Sequence, residues 1–261
     1  MELNKTFTNA FGSTFAFFSR AQSQTKKCKR ATLAKPKNVR AIFLLIGTLF
    51  ASITIGQTVT IGNQVWMSKN LDISTFRNGD PIPQVKTAEE WVKAGVNKQP
   101  AWCYYENDST NWSKCGKLYN WHAVNDPRGL APIGWHIPII DEWQILISKI
   151  GNNAAYKMKN KVGWPDYYDP FDVAMNHPKQ GNGNNISGFN TLYCGSRYGQ
   201  NGFAHFNILM TWWSATEKSD KIDILDWSYK PICVLTISDD NQILFLQNEP
   251  DSGCSIRCLK D

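Results

Sequence analysis

The chain has 261 residues, enough for one large domain or two small ones. Its formal charge of +6 is unevenly spread: residues 1–57 hold nine Lys/Arg against Glu2 alone, and the remainder holds 19 basic and 21 acidic residues. The part beyond residue 57 is thus nearly neutral, which excludes a nucleic-acid binder working through a basic face.

Residues 1–40 form a basic leader with no sustained periodicity, and no fold is assigned to them. Residues 41–56, AIFLLIGTLFASITIG, are free of charge and preceded by Lys35, Lys37 and Arg40. A basic stretch, an apolar run and small residues at its end describe a secretory signal over 41–57. The run is short for a membrane helix, which needs about 20 apolar residues. Cleavage after Gly56 is expected. The alternative is an uncleaved signal anchor, in which case residues 41–56 make the membrane contact. Either way the rest, 58–261, is expected to be exported to the periplasm, cell surface or medium as one domain.

Along that domain, TVTIGNQVWM (58–67) predicts a hairpin turning at Gly62-Asn63. Thr87 to Gly95 predicts a short helix: Thr87 caps it, Glu90 completes a capping box, and Gly95 ends it. AWCYY (101–105) predicts an aromatic strand. Asp141 to Ile150 is the clearest helix, with Trp143, Leu146, Ile147 and Ile150 on one face and Gly151 as the stop. GNGNNISG (181–188) predicts a surface loop. TWWSAT (211–216), ICVLTI (232–237), QILFLQ (242–247) and CSIRCL (254–259) predict strands, the middle two joined at Asp239-Asp240-Asn241. The expected class is α+β, short helices around twisted antiparallel sheets.

All eleven tryptophans follow residue 57. Trp has a large apolar area to bury, so a core role is expected for most. Trp212 and Trp213 are candidates for a ligand platform, because neighbours on a strand point to opposite faces and one of the two is expected to face out. Glu217, just past that strand, joins them as a binding candidate. Asp126 and Arg128, in a turn-prone loop, are expected to pair and rigidify it, or else to face a ligand. One Asp and one Asn do not supply the six to eight oxygens that calcium needs. The histidines, His122, His136, His177 and His205, are scattered and read as structural residues.

Six cysteines fall in the exported part: Cys103, Cys115, Cys194, Cys233, Cys254 and Cys258. An even number in an exported chain predicts disulfides, and six cysteines allow 15 connectivities. Cys254 and Cys258 lie four apart, about 13 Å at strand rise, too far to bridge each other. With no C-x-x-C and no His at zinc spacing, no metal or other cofactor is expected.

The motif order resembles the Fibrobacter succinogenes major paralogous domain along nearly all of 58–261. The resemblance rests on VWMSKNLDISTFRNGDPIP, CYYEND, LYNWHAVNDPRGLAPIGWHIPIIDEW, SGF, WWSATE and SIRCLKD. It implies a C-type-lectin-like fold related to formylglycine-generating enzymes, in which the two chain ends meet in one sheet. It further implies Cys103 paired with Cys258, Cys233 with Cys254, and Cys115 with Cys194. Glu249-Pro250-Asp251 resembles the sugar-binding tripeptide of true C-type lectins but lies between the last two strands, and it reads as a turn. The function expected from all this is a non-catalytic binding or adhesion module for a surface glycan or protein. The alternatives are a cysteine-using oxidoreductase akin to formylglycine-generating enzymes, with Cys254 as its candidate thiol and Cys258 as the only closely spaced cysteine to serve with it, and a structural surface protein.

Overall fold

A computed structural model describes residues 57–112, 115–167, 179–204, 208–216 and 232–261, with the backbone alone at 111–112, 201 and 232–236. Strands β1 (Thr58–Ile61) and β2 (Gln64–Met67) form the expected hairpin, with Gly62 at φ 63° in the first turn position. Helix α1 (Ala88–Val96) starts on the expected capping box: Thr87 Oγ1 accepts from Glu90 N, and Glu90 Oε2 accepts from Thr87 N. Gly95 does not end it. It sits within the last turn, where a Cβ would meet Asp251 Cβ at 2.6 Å, so it serves close packing instead.

Strand β3 (Trp102–Cys103) is shorter than expected. Tyr105–Asn107 turns in a 3₁₀ helix, with Glu106 and Asn107 at positive φ, and α2 (Ser109–Trp112) follows. Next come β4 (Leu118–Tyr119), α3 (Trp121–Val124), β5 (Trp135–His136), α4 (Ile140–Ile150) and α5 (Ala154–Met158). Helix α4 buries Trp143 and Leu146 and stops at Gly151, φ 74°. Its first N–H groups find oxygens nearby: Ile139 N donates to Glu142 Oε2 at 2.9 Å, and Ile140 N to Thr216 Oγ1 at 3.1 Å. The loop through 181–188 is not a free surface loop. Gly183 N donates to Asn160 O, and a Cβ on Gly183 would meet Tyr156 O at 2.3 Å, so glycine lets the loop press onto α5.

The remaining strands are β6 (Ser196–Tyr198), β7 (Gly202–Ala204), β8 (Leu209–Trp213), β9 (Ile232–Ser238), β10 (Ile243–Gln247), β11 (Ser252–Gly253) and β12 (Leu259–Lys260). They make sheets of order β1-β2-β12-β5, β10-β9-β8 and β11-β6-β7, with β3-β4 as a separate pair. The molecule is therefore α+β, with few short helices and several small antiparallel sheets. Leu259 pairs with both Trp66 and His136, so the first hairpin and the last strand share a sheet.

The continuous strand expected over 254–259 does not form. This segment crosses from sheet to sheet instead. Cys254 bridges to Tyr119, Ser255 bridges to Trp212, and Ile256 O and Cys258 O accept from Leu71 N and Met67 N. It is the seam that joins the small sheets.

Strand β8 separates two cores. Trp212 packs with Trp66, Trp143 and Phe189, while Trp213 packs with Trp121, Cys254 and Ile256 on the other side. A third cluster gathers Trp91, Ala101, Cys103 and Leu118.

Candidate functional site

The charged loop 125–132 docks on the loop 76–82. Arg128 grips Asp126 with both arms, Nε to Oδ1 and Nη2 to Oδ2, each at 2.8 Å. Its Nη1 reaches Asp80 Oδ2 at 3.1 Å, and the guanidinium lies 4.1 Å from the Phe76 ring centroid. From the other loop, Arg77 donates to Ala131 O at 2.6 Å and Trp135 O at 2.7 Å. The expected Asp126–Arg128 pair is thus present, and Asp80 joins it. The Arg128 guanidinium holds the Asp126 carboxyl below its ordinary range; the Asn78 amide, and then Arg128, do the same for Asp80. Arg128 is 35% exposed and Asp80 49%, so the cluster faces solvent while both loops are fixed.

The tryptophan platform is corrected. Trp212 and Trp213 do point to opposite faces, but both faces of β8 are covered and both rings are fully buried. Trp212 Nε1 donates to Asn70 Oδ1 at 2.8 Å and Trp213 Nε1 to Tyr119 O at 2.7 Å. The indole N–H groups of these two residues thus both have partners, which suits a core position. Nine tryptophans have described side chains, and all are 7% exposed or less, so none of these nine can form a solvent-facing platform. Glu217 lies outside the described residues, as do His177 and His205.

Among the cysteines, Cys115 and Cys194 form a disulfide, Cα–Cα 5.6 Å. The Cys103–Cys258 pairing is corrected: both are free, buried thiols. They sit in different clusters, Cys103 beside Trp91 and Leu118, Cys258 beside Met67 and Leu71. Burial pushes the Cys103 thiol up to about 11 and the Cys258 thiol up to about 12. Cys254 is buried, and its sulfur accepts from Asn248 Nδ2 at 3.4 Å. The Cys233 side chain, and with it the Cys233–Cys254 pairing, lies outside the described residues. Among the described residues, no group of three or more His, Cys, Asp or Glu side chains is arranged to hold a metal ion. Glu249-Pro250-Asp251 is a turn, closed by Ser252 N donating to Glu249 O, with Asp251 O accepting from Trp91 Nε1.

Arg257 of SIRCLKD, which has no local signal of a role in the sequence, is the centre of the motif set in the fold. Its side chain is 2% exposed. Nε and Nη2 donate to Asn70 Oδ1, and Nη1 donates to Met67 O at 3.1 Å and Phe189 O at 2.8 Å. The guanidinium lies 4.7 Å from the Phe189 ring centroid and 5.6 Å from that of Trp212. Carbonyl oxygens and ring faces thus stand where a carboxylate would be expected. Burial lowers its pKa to about 9, which leaves it charged at neutral pH. The W-M-x-x-N-L, SGF, WWSATE and SIRC motifs all meet here. A second buried cation, Lys159, donates to Ser238 O and Asp239 O across the β9–β10 turn, and burial lowers its pKa to about 8.

His136 bridges two carboxylates: Nδ1 lies 2.8 Å from Asp261 Oδ1 and Nε2 3.0 Å from Glu142 Oε1. Burial opposes its charge, but Asp261 and Glu142 together outweigh it, and the pKa is raised. It joins β5, α4 and the end of the β12 segment, which is the structural role expected of it.

No helix among the described residues is long and apolar enough to cross a membrane; residues 41–56 lie outside them. No curated protein and no solved structure matches the chain. The family profile of the Fibrobacter succinogenes major domain matches residues 59–260, the span over which the motifs converge on Arg257. The chain belongs to the Fibrobacter succinogenes major domain family.

Proposed function

We propose that this chain is an exported, non-catalytic binding or adhesion module, built on a C-type-lectin-like fold, whose ligand is a surface glycan or a protein. The observation that carries this reading is the Asp80–Arg128–Asp126 cluster. It is charged, its Arg128 and Asp80 are open to solvent while Asp126 is largely covered, and it sits on two loops locked to each other over a rigid core. Binding groups are commonly presented on loops held this way. The Cys115–Cys194 disulfide fits an oxidising compartment. The sharing of one sheet by β2 and β12 fits the lectin-like expectation that the chain ends meet.

The oxidoreductase reading needs a reactive thiol, and the thiolate is the reacting form. Cys258, the partner that reading would give Cys254, is held protonated by burial. This weighs toward binding.

Glycan-array and pull-down screens with wild-type protein and Arg128→Gln test the proposal. The expected result is a ligand whose affinity falls at least tenfold in the variant while melting changes little. No ligand together with turnover of peptide thiols would overturn it.

A further inference from the structure

We infer that the outer edge of β10 is a self-association surface, on which a second copy of this chain lays its own β10 antiparallel. β10 is the terminal strand of the β10-β9-β8 sheet, and among the described residues no strand pairs with its other edge. Ser238 N donates to Gln242 O, which turns the Gln242 carbonyl toward β9. In an antiparallel ladder the direction alternates, so the N–H and C=O of Ile243, Phe245 and Gln247 point outward.

Exposed edges are ordinarily blocked by charge, proline or a bulge. The run Gln242 to Gln247, QILFLQ, has no charged residue and no proline. The register irregularity in this pair lies in β9, where Thr236 to Cys233 spans the same stretch as Leu244 to Leu246. The outer edge of β10 is therefore regular.

The occupant follows from the strand itself. A two-fold axis through Phe245, perpendicular to the sheet, sets Phe245 opposite Phe245 of the second copy and Ile243 opposite Gln247. These are the residues whose backbone groups point outward, so each pair exchanges both N–H···O bonds. The same axis sets Leu244 opposite Leu246. Both leucines are 42% exposed, on the face away from the core that holds Ile243 and Phe245. Pairing therefore gathers the leucines of both copies into one strip, with no like charges opposed.

Sedimentation velocity of the purified protein tests this. A reversible dimer is expected, with a midpoint on the order of 10–100 µM for so small a contact. Leu246→Lys should raise that midpoint at least tenfold with the melting temperature nearly unchanged. Register is read separately: Leu244→Cys chains mixed with Leu246→Cys chains should cross-link, because those positions are opposed, and Leu244→Cys chains alone should not. A monomer at the highest soluble concentration would overturn the inference. So would a dimer indifferent to Leu246→Lys, cross-linking of Leu244→Cys chains alone as fast as in the mixture, or occupation of this edge by a foreign extended peptide instead of a second copy.

Discussion

Arg257 donates through both Nε (3.0 Å) and Nη2 (2.8 Å) to the single side-chain oxygen of Asn70, 187 residues away in the chain. The same oxygen accepts from Trp212 Nε1, and Asn70 Nδ2 donates to Cys115 O at 2.8 Å. One asparagine thus ties the first hairpin, β8, the disulfide and the C-terminal segment together. Asn70→Ala strands several buried donors and should cost about 3 kcal/mol or more. Asn70→Asp keeps the acceptor and adds a counter-charge, so it should cost less. Urea unfolding of the two variants checks the order; equal costs would show that the acceptor oxygen is not what matters.

The Cys115–Cys194 link spans a sequence separation of 79. Chain-entropy reasoning gives it roughly 4–5 kcal/mol, an upper figure because residual structure and strain reduce it. Reductant should therefore lower the melting temperature, by at most about 10–20 °C. Cys194→Ser should melt at the same lowered temperature with and without reductant. Calorimetry of both proteins decides it.

His136 makes stability fall with rising pH. Its pKa is raised in the fold, so its two carboxylate contacts contribute fully below the unfolded value near 6.5 and are lost as pH climbs through the folded value. Denaturant midpoints measured from pH 5.5 to 8.5 should decline, and His136→Asn should flatten that decline. An unchanged slope in the variant would assign the dependence to another group.

On the acid side the sign reverses. Asp126 is held below its ordinary pKa by Arg128, so its contribution is present above the unfolded carboxylate value near 3.9 and is lost as pH falls through the folded value. Arg128→Met should lower stability at neutral pH only slightly, since Arg128 is screened by water, and should shrink the acid-side loss. Acid titration of stability in the two proteins measures both effects.

What was legible in the sequence is local. The hairpin at Gly62-Asn63, the Thr87–Glu90 capping box, the face of α4 and the Asp126–Arg128 pair are each set by residues within a few positions of one another. What was not legible depends on distant partners. Alternation correctly sent Trp212 and Trp213 to opposite faces, but only the packing of Trp143 on one side and Trp121 on the other shows that neither face is open. Arg257 stood in a motif with no visible role because its acceptors, Asn70, Met67 and Phe189, are 68 to 190 residues away. Of the pairings that the resemblance implies, Cys115–Cys194 forms and Cys103–Cys258 does not, because the cores that separate the latter two have no signature near either residue.

Disulfide mapping by mass spectrometry of protein recovered from its secreting host bears most directly on the account of an exported, stapled, non-catalytic domain. The account predicts a Cys115–Cys194 peptide pair, with Cys103 and Cys258 as thiols that alkylate only after denaturation, because burial holds them at about 11 and about 12. A Cys103–Cys258 cross-link would contradict the arrangement of the cores. Rapid alkylation of Cys258 in the native protein would contradict the non-catalytic reading and favour thiol chemistry.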